Sequence, residues 1–280
     1  MKKYRLREDA VTAVDTKTQL VTAGSDTAPG ALLVPQGMKF ITGLHVAAIQ
    51  NMAVATSYSA LVRLEGPGVV TGYESFAAGA GGNNVATGGN GVNPVKRLPV
   101  NIPVNEASEI LVYAEMCGTD VGGLQVIVGL EFSDTAGEGA GEHRTMTVEG
   151  DIATVNARAA LLTQGSVATP SLIVPAGFTK IDKIFVAAAS EGLADGAQSW
   201  FIRIGGNAVQ GGEMLLPVSA SGRIAVQSGS DSAPQICPPI VLENLDIEVT
   251  PSDTISLWAE GAGDDTGTGR AVVTLLFAKA

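Results

Sequence analysis

The chain contains one series of short segments twice, in the same order. Each segment of the first series recurs about 140 to 145 positions later. The pairs are Leu20–Ser25 with Leu161–Ser166, Leu32–Gly37 with Leu172–Gly177, Leu44–Ala48 with Ile184–Ala188, Ser59–Gly66 with Ser199–Gly206, and Ile110–Glu115 with Ile255–Glu260. Chance similarity does not keep five segments in order. The sequence therefore predicts two copies of one domain, residues 1–135 and 143–280.

Short runs rich in Val, Ile and Leu, bounded by Gly, Pro, Asn and Asp, predict strands throughout. The strands predicted in the first copy are 10–15, 18–24, 31–34, 39–50, 58–65, 69–76, 95–104, 109–116 and 123–132. Those of the second copy are 151–156, 159–165, 171–174, 179–189, 198–205, 212–218, 223–228, 240–249, 254–260 and 270–278. No segment has a convincing helical period. This predicts an all-β chain of two tandem β-sandwich or jelly-roll domains related by internal duplication.

Few residues are charged. Of the 280 residues, 45% are hydrophobic and only 16% are charged, so the chain can bury two cores but has little charge for its surface. Either extended contacts between subunits or an extracellular, hydroxyl-rich surface would explain this, and the first is favoured. Because 46–55 and 187–189 are small and apolar, a glutamate at Ala47 or Ala187 is expected to weaken folding or assembly.

The net charge of −11 argues against a general nucleic-acid-binding surface. One basic cluster stands at the N-terminus, where a solvated tail is favoured over contact with an anionic membrane or genome. Glu8 and Asp9 follow it, so no signal peptide is expected. The cluster consists of Lys2, Lys3, Arg5 and Arg7.

No catalytic or metal-binding constellation is recognisable. The two histidines, His45 and His143, are too few for a histidine-rich metal site, and Phe185 stands at the position equivalent to His45. Cys117 and Cys237 fall at non-equivalent positions, so a disulfide framework is not indicated. The sequence thus predicts no enzyme, no catalytic residues, no metal, no cofactor and no small-molecule substrate.

Glycine-rich segments lack the lysine and the strand–loop–helix context of phosphate loops. Asp264 and Asp265 in one such turn are a weak calcium candidate, matched only by Thr119 and Asp120 in the first copy. The low-complexity segment Ala77–Gly91 is expected to be a long loop. Residues 135–142 are expected to form a short linker.

Two repeated pairs of charged residues invite a structural interpretation. Arg63 and Arg203 stand mid-strand, and Glu115 and Glu260 are possible partners. Solvent-facing side chains are favoured over a buried Arg–Glu pair in each copy. Trp200 and Trp258 are assigned to core or interface packing, not to a carbohydrate platform.

Two tandem eight-stranded β-domains with few charges and no active site resemble the double jelly-roll major capsid proteins of icosahedral bacterial and archaeal viruses. The resemblance covers the whole chain but rests on architecture, without a diagnostic motif. It implies a homotrimer that presents six similar domains, a higher-order shell and a location in the virion. The helices and large tower loops of that family are missing from this sequence.

The sequence therefore predicts a structural assembly protein, most simply a viral major capsid protein. The alternative is a secreted tandem β-sandwich that binds carbohydrate or a cell surface.

Overall fold

The computed structural model describes residues 2–11, 14–22, 32–52, 56–83, 89–118, 123–137, 141–152, 157–163, 172–190, 196–223, 235–237, 239–263 and 269–279. Within these ranges every regular element is a strand, which confirms the all-β class. No helix there is long and apolar enough to cross a membrane. Asp264, Asp265, Thr119 and Asp120 lie outside the described residues.

The first half contributes ten strands to two antiparallel sheets. Sheet A has the order β3-β1-β10-β5-β8, and sheet B has the order β7-β6-β9-β2 with β4 also paired to β9; one strand of the second half, β17 (Gln235–Cys237), pairs with β7 at the edge of sheet B. The bounds are β1 Lys2–Val11, β2 Thr18–Gln19, β3 Val21–Thr22, β4 Leu32–Leu33, β5 Phe40–Met52, β6 Thr56–Glu65, β7 Tyr73–Asn83, β8 Gly89–Pro103, β9 Glu109–Gly118 and β10 Gly123–Ser133.

The second half contributes eleven strands. Sheet C has the order β11-β21-β14-β18 with β19 on β14, and sheet D has the order β16-β15-β20 with β13 on β20. Strand β12 pairs with β11 of sheet C and with β20 of sheet D. The bounds are β11 His143–Ile152, β12 Ala159–Thr163, β13 Leu172–Ile173, β14 Lys180–Ser190, β15 Gly196–Gly205, β16 Met214–Arg223, β17 Gln235–Cys237, β18 Ile240–Leu242, β19 Ile247–Glu248, β20 Thr254–Gly263 and β21 Gly269–Ala278.

Each half packs its two sheets around a core of its own. Alternate residues of a strand point to opposite faces, and in β6 it is Tyr58, Ala60, Val62 and Leu64 that join the first core. In β15 the residues Trp200, Ile202 and Ile204 join the second core. Trp200 is thus a core residue, as the sequence predicts.

The pairing registers of the two halves correspond in detail. The bulge opposite Ala60 and Leu61 in β6 recurs opposite Trp200 and Phe201 in β15. In the turns after Pro35 and Pro175, Gly37 and Gly177 have φ of 79° and 80°. Glycine suits these turns because this left-handed conformation is costly for other residues.

Two sequence expectations about loops are wrong. The basic N-terminal segment is not a free tail, because Lys2–Val11 pairs antiparallel with Gly123–Ser133 along its length. The segment Ala77–Gly91 is not one long loop either, because β7 continues to Asn83 and β8 begins at Gly89; residues 84–88 lie outside the described part.

A close approach explains one glycine of that low-complexity segment. Gly81 is paired with Tyr58, and a Cβ atom added at Gly81 would lie 2.3 Å from the Tyr58 ring. Both side-chain positions are on the core face of sheet B, where Tyr58 is fully buried. The glycine therefore gives the ring the space it occupies.

We expect Gly81→Ala to lower the free energy of unfolding by about 1–3 kcal/mol, because the methyl group would displace a buried ring. Urea unfolding monitored by circular dichroism measures this. In a Tyr58→Leu background the same substitution should cost much less; an equal cost in both backgrounds would contradict the contact.

Candidate functional site

The most unusual feature of the structure is an interface between the two halves that contains both apolar side chains and buried polar groups. Residues of the second half, namely Phe185, Ala187, Ala189, Val272 and Leu276, join the core cluster of the first half. They project from sheet C on the face opposite its own core. Strand β21 is consequently buried along both of its faces. We call this contact between sheets B and C the inter-half interface.

Threonine hydroxyls of the second half accept hydrogen bonds from the part of the β7 edge that β17, which pairs with residues 80–82, does not reach. The amide of Ser75 donates to Thr145 Oγ1 at 3.1 Å, and the amide of Ala77 donates to Thr274 Oγ1 at 2.8 Å. The amides of residues two apart point to the same edge of a strand, here away from β6. A buried strand edge needs such partners, because an unpaired buried amide costs as much as a lost hydrogen bond.

The carboxylate of Glu74 also connects the two halves at the inter-half interface. Its Oε2 accepts hydrogen bonds from the amide of Thr145 at 2.5 Å and from Thr145 Oγ1 at 2.6 Å, and its Oε1 accepts one from Thr71 Oγ1 at 2.5 Å. Burial raises the pKa of Glu74 above its usual range, while these hydrogen bonds partly oppose the rise. The contact thus joins the start of β7 to β11 of the other half.

Buried ion pairs lie on the same interface. Arg63 pairs with Glu115 within sheet B, and Arg270 pairs with Glu149 within sheet C. Ser59 Oγ, on the face of β6 that also carries Arg63, lies 3.5 Å from Glu149 Oε2 across the halves. Arg63 is only 1% exposed. The expectation of a solvent-facing Arg63 is therefore wrong, and the structural Arg–Glu pair is what the fold contains.

His143 stands where the two halves meet at the linker. Its Nδ1 accepts a hydrogen bond from the amide of Asn101 in β8 at 3.0 Å, so the neutral ring carries its proton on Nε2. Nε2 lies 3.7 Å from Asp182 Oδ2. Burial lowers the pKa of His143 to about 4, with Lys183 and Lys180 acting in the same direction against Asp182. Gly137 of the linker donates its amide to Asn101 Oδ1 at 2.6 Å.

Sheet D of the second half corresponds to sheet B of the first. The face of sheet D that corresponds to the interface side of sheet B is exposed. This outer face of sheet D carries Arg203, which contacts both Glu213 and Glu260. Arg158 contacts Glu213 as well and lies 5.7 Å from the centre of the Trp258 ring. Trp258 is thus a half-buried surface residue of sheet D.

Sheet A of the first half corresponds to sheet C of the second. The face of sheet A that corresponds to the interface side of sheet C is exposed. On this outer face of sheet A, Ile127 is 38% exposed, whereas the equivalent Val272 is fully buried. Glu131 is buried there and accepts hydrogen bonds from Thr42 Oγ1 at 3.0 Å and from Arg97 Nε at 3.2 Å. His45 Nε2 lies 3.5 Å from Glu131 Oε2.

One group of possible metal ligands occurs among the described residues. Oxygen atoms of Asp15 and Glu115 and the sulfur of Cys117 lie within 4.8 Å of one another. Glu115 is already bound to Arg63, and burial raises the pKa of the Cys117 thiol, which disfavours the thiolate that a metal requires. Cys237 lies in β17, which pairs with β7.

Sequence reasoning missed Glu74, Thr145, Thr274, Glu149 and Arg270. The sequence of β21 could have indicated this interface, because apolar residues occur on both faces of the strand. A strand of that kind is typical of burial on both faces. The polar alternation of Thr145, Thr147 and Glu149 in the neighbouring strand then marks the face that meets the other half.

No family model and no curated relative matches the chain. Among solved structures, one of peptide N-glycanase F is similar, with 11% identity over 100% of this chain and 96% of that chain and a TM-score of 0.43. A structure of broad bean stain virus is similar at 10% identity over 99% of this chain and 88% of that chain, with a TM-score of 0.33. The major capsid protein P2 of bacteriophage PM2 matches at 10% identity over 100% and 98%, with a TM-score of 0.31.

The comparison corrects one prediction. The sequence predicts no enzyme, yet peptide N-glycanase F is an asparagine amidase, and structures of it stand first among the matches. A missing catalytic motif is therefore no ground for excluding an enzyme. At these identities and TM-scores the matches assign no activity to this chain.

We expect Arg63→Met to lower the free energy of unfolding by about 3–5 kcal/mol, because it leaves the buried Glu115 carboxylate without its guanidinium. Arg203→Met is the matched control. It removes the equivalent arginine on an open face and should cost clearly less. Chemical denaturation of both variants measures the difference, and equal losses would contradict the buried role of Arg63.

The lowered pKa of His143 predicts a pH dependence. A group that binds its proton less well when folded contributes stability above its unfolded pKa and loses it as the pH falls. We expect stability to fall by roughly 3 kcal/mol between its ordinary pKa of 6.5 and about 4. His143→Asn, whose amide oxygen can replace Nδ1 as acceptor, should remove this component. Glu74 contributes equally to the pH dependence of the wild type and of His143→Asn, so its contribution cancels in the difference. If unfolding free energy plotted against pH gave parallel curves for the two proteins, the prediction would be wrong.

Proposed function

We propose that the chain is a structural assembly protein, most simply the major capsid protein of a virus, with residues 1–135 and 143–280 as two domains derived by internal duplication. The correspondence of strand order, bulges and turns between the halves supports the duplication. The resemblance to double jelly-roll capsid proteins supplies the proposed place in a virion.

One observation supports assembly above all. Sheet B of the first half already packs on sheet C of the second half. The two faces equivalent to these, on sheets D and A, are exposed in the part of the chain that the structure describes. If such faces join between three copies and the ring closes, the result is the trimer of this proposal, with six similar domains around its axis. A duplicated chain can in this way occupy positions that need near-sixfold contacts.

The basic residues of β1 belong to a paired strand and not to a free arm. Their contact with an anionic membrane or genome inside a shell stays part of this proposal.

Light scattering coupled to size-exclusion chromatography tests the proposal. The chain has a mass of 28.4 kDa, and we expect a species of three times that mass or a larger particle. A chain that stays monomeric at all concentrations would contradict assembly. A monomer that also binds an immobilised polysaccharide would favour the alternative, a carbohydrate-binding β-sandwich.

A further inference from the structure

Two sheet faces correspond to the two sides of the inter-half interface but meet no partner among the residues that the structure describes. They are the outer face of sheet D, equivalent to the buried side of sheet B, and the outer face of sheet A, equivalent to the buried side of sheet C. We propose that a second copy of this chain docks the outer face of its sheet D on the outer face of sheet A, repeating the packing that joins the halves. This inference rests on the proposed assembly function.

Equivalent residues define the two faces. In β15, Phe201 and Arg203 occupy the positions that Leu61 and Arg63 occupy in β6. Strand β10 and β5 provide Ile127 and Ala47, at the positions of Val272 and Ala187 in sheet C. Continuity with an interface that the chain already makes thus identifies the occupant as a second copy.

One hydrogen bond of the inter-half interface has neither its donor nor its acceptor on the two open faces. In the inter-half interface the amide of Ala77 donates to Thr274 Oγ1. The residue equivalent to Ala77 is Pro217, which has no amide hydrogen, and the residue equivalent to Thr274 is Gly129, which has no hydroxyl. Docking would therefore leave neither a donor nor an acceptor unsatisfied at this point, which is the condition for burying it.

Both faces expose large apolar side chains. Leu215 on sheet D is 51% exposed, and Val95 and Ile127 on sheet A are 68% and 38% exposed. Pro217 and the ring of Trp258 add to the first face. Contact between copies would remove this apolar surface from water, the main favourable contribution to association.

Charges on the two faces are compatible with burial. The arginines of sheet D, Arg158 and Arg203, are paired within their own face to Glu213 and Glu260. Glu131 on sheet A is paired with Arg97. Gln125 stands at the position that Arg270 has in sheet C, so the sheet A face buries no arginine there.

The contact joins two different faces, so it is heterologous and either closes into a ring or grows as a filament. This gives a sharp test. Ile127→Glu blocks the sheet A face, and Leu215→Glu blocks the sheet D face. Val70→Glu is the control, at a residue of similar exposure in the β6–β7 turn outside both faces.

In analytical ultracentrifugation we expect the wild type and Val70→Glu to assemble and each face variant alone to sediment as a monomer. An equimolar mixture of the two face variants should form a dimer and nothing larger, because only one pair of intact faces remains. Melting temperatures check folding, and Ala47→Glu and Pro217→Glu serve as second variants of the two faces.

The remaining outcomes separate the two proposals. Assembly of the wild type together with undiminished assembly of all face variants would overturn the docking faces and leave the assembly function standing. Monomeric variants whose mixture also stays monomeric would overturn the head-to-tail contact. A wild type that never assembles would overturn both proposals.

Discussion

The structure depends on how a sheet face is buried between two β-sandwiches without leaving polar backbone groups unpaired. Strand β17 of the second half pairs with β7 only at residues 80–82, and an unpaired strand edge is normally a site of unwanted pairing. Thr145 and Thr274 resolve this with hydroxyls that accept from the amides of Ser75 and Ala77. Because a hydroxyl can accept without extending the sheet, this part of the β7 edge meets the second half through side chains, whereas β17 of the second half joins sheet B through its backbone.

Ion pairing on the same interface is arranged within each sheet. Arg63 and Glu115 neutralise each other within sheet B. Arg270 and Glu149 do the same within sheet C. Each face is therefore close to neutral when it becomes buried, and the cost of desolvation falls on pairs and not on isolated charges. Such pairs add little to stability compared with apolar residues, but they penalise any register that separates them. Their contribution is to fix one arrangement of the halves.

Much of the fold could be predicted from the sequence because local patterns determine it. The Pro35 and Pro175 turns and the alternation of β10 depend only on neighbouring residues. The environment of Arg63 could not be predicted, because Arg203 stands in the same local pattern and only the other half of the chain buries one of them. Strand β1 was missed because its charged residues do not resemble a strand, and its pairing with β10 is a long-range contact. Gly81 looked like part of a loop, although the ring of Tyr58 explains it.

The differences between equivalent positions follow the burial of each face. Phe185, Val272 and Leu276 lie against the first half, and their equivalents His45, Ile127 and Glu131 lie on the open face of sheet A. If both halves kept identical faces, the internal contact and a contact between copies would compete for the same partners. In the proposed assembly this divergence separates the two contacts, because the chain can complete its own interface without competition from the faces that would meet another copy. Pro217 acts in the same direction, because a proline removes one pairing amide from the β16 strand.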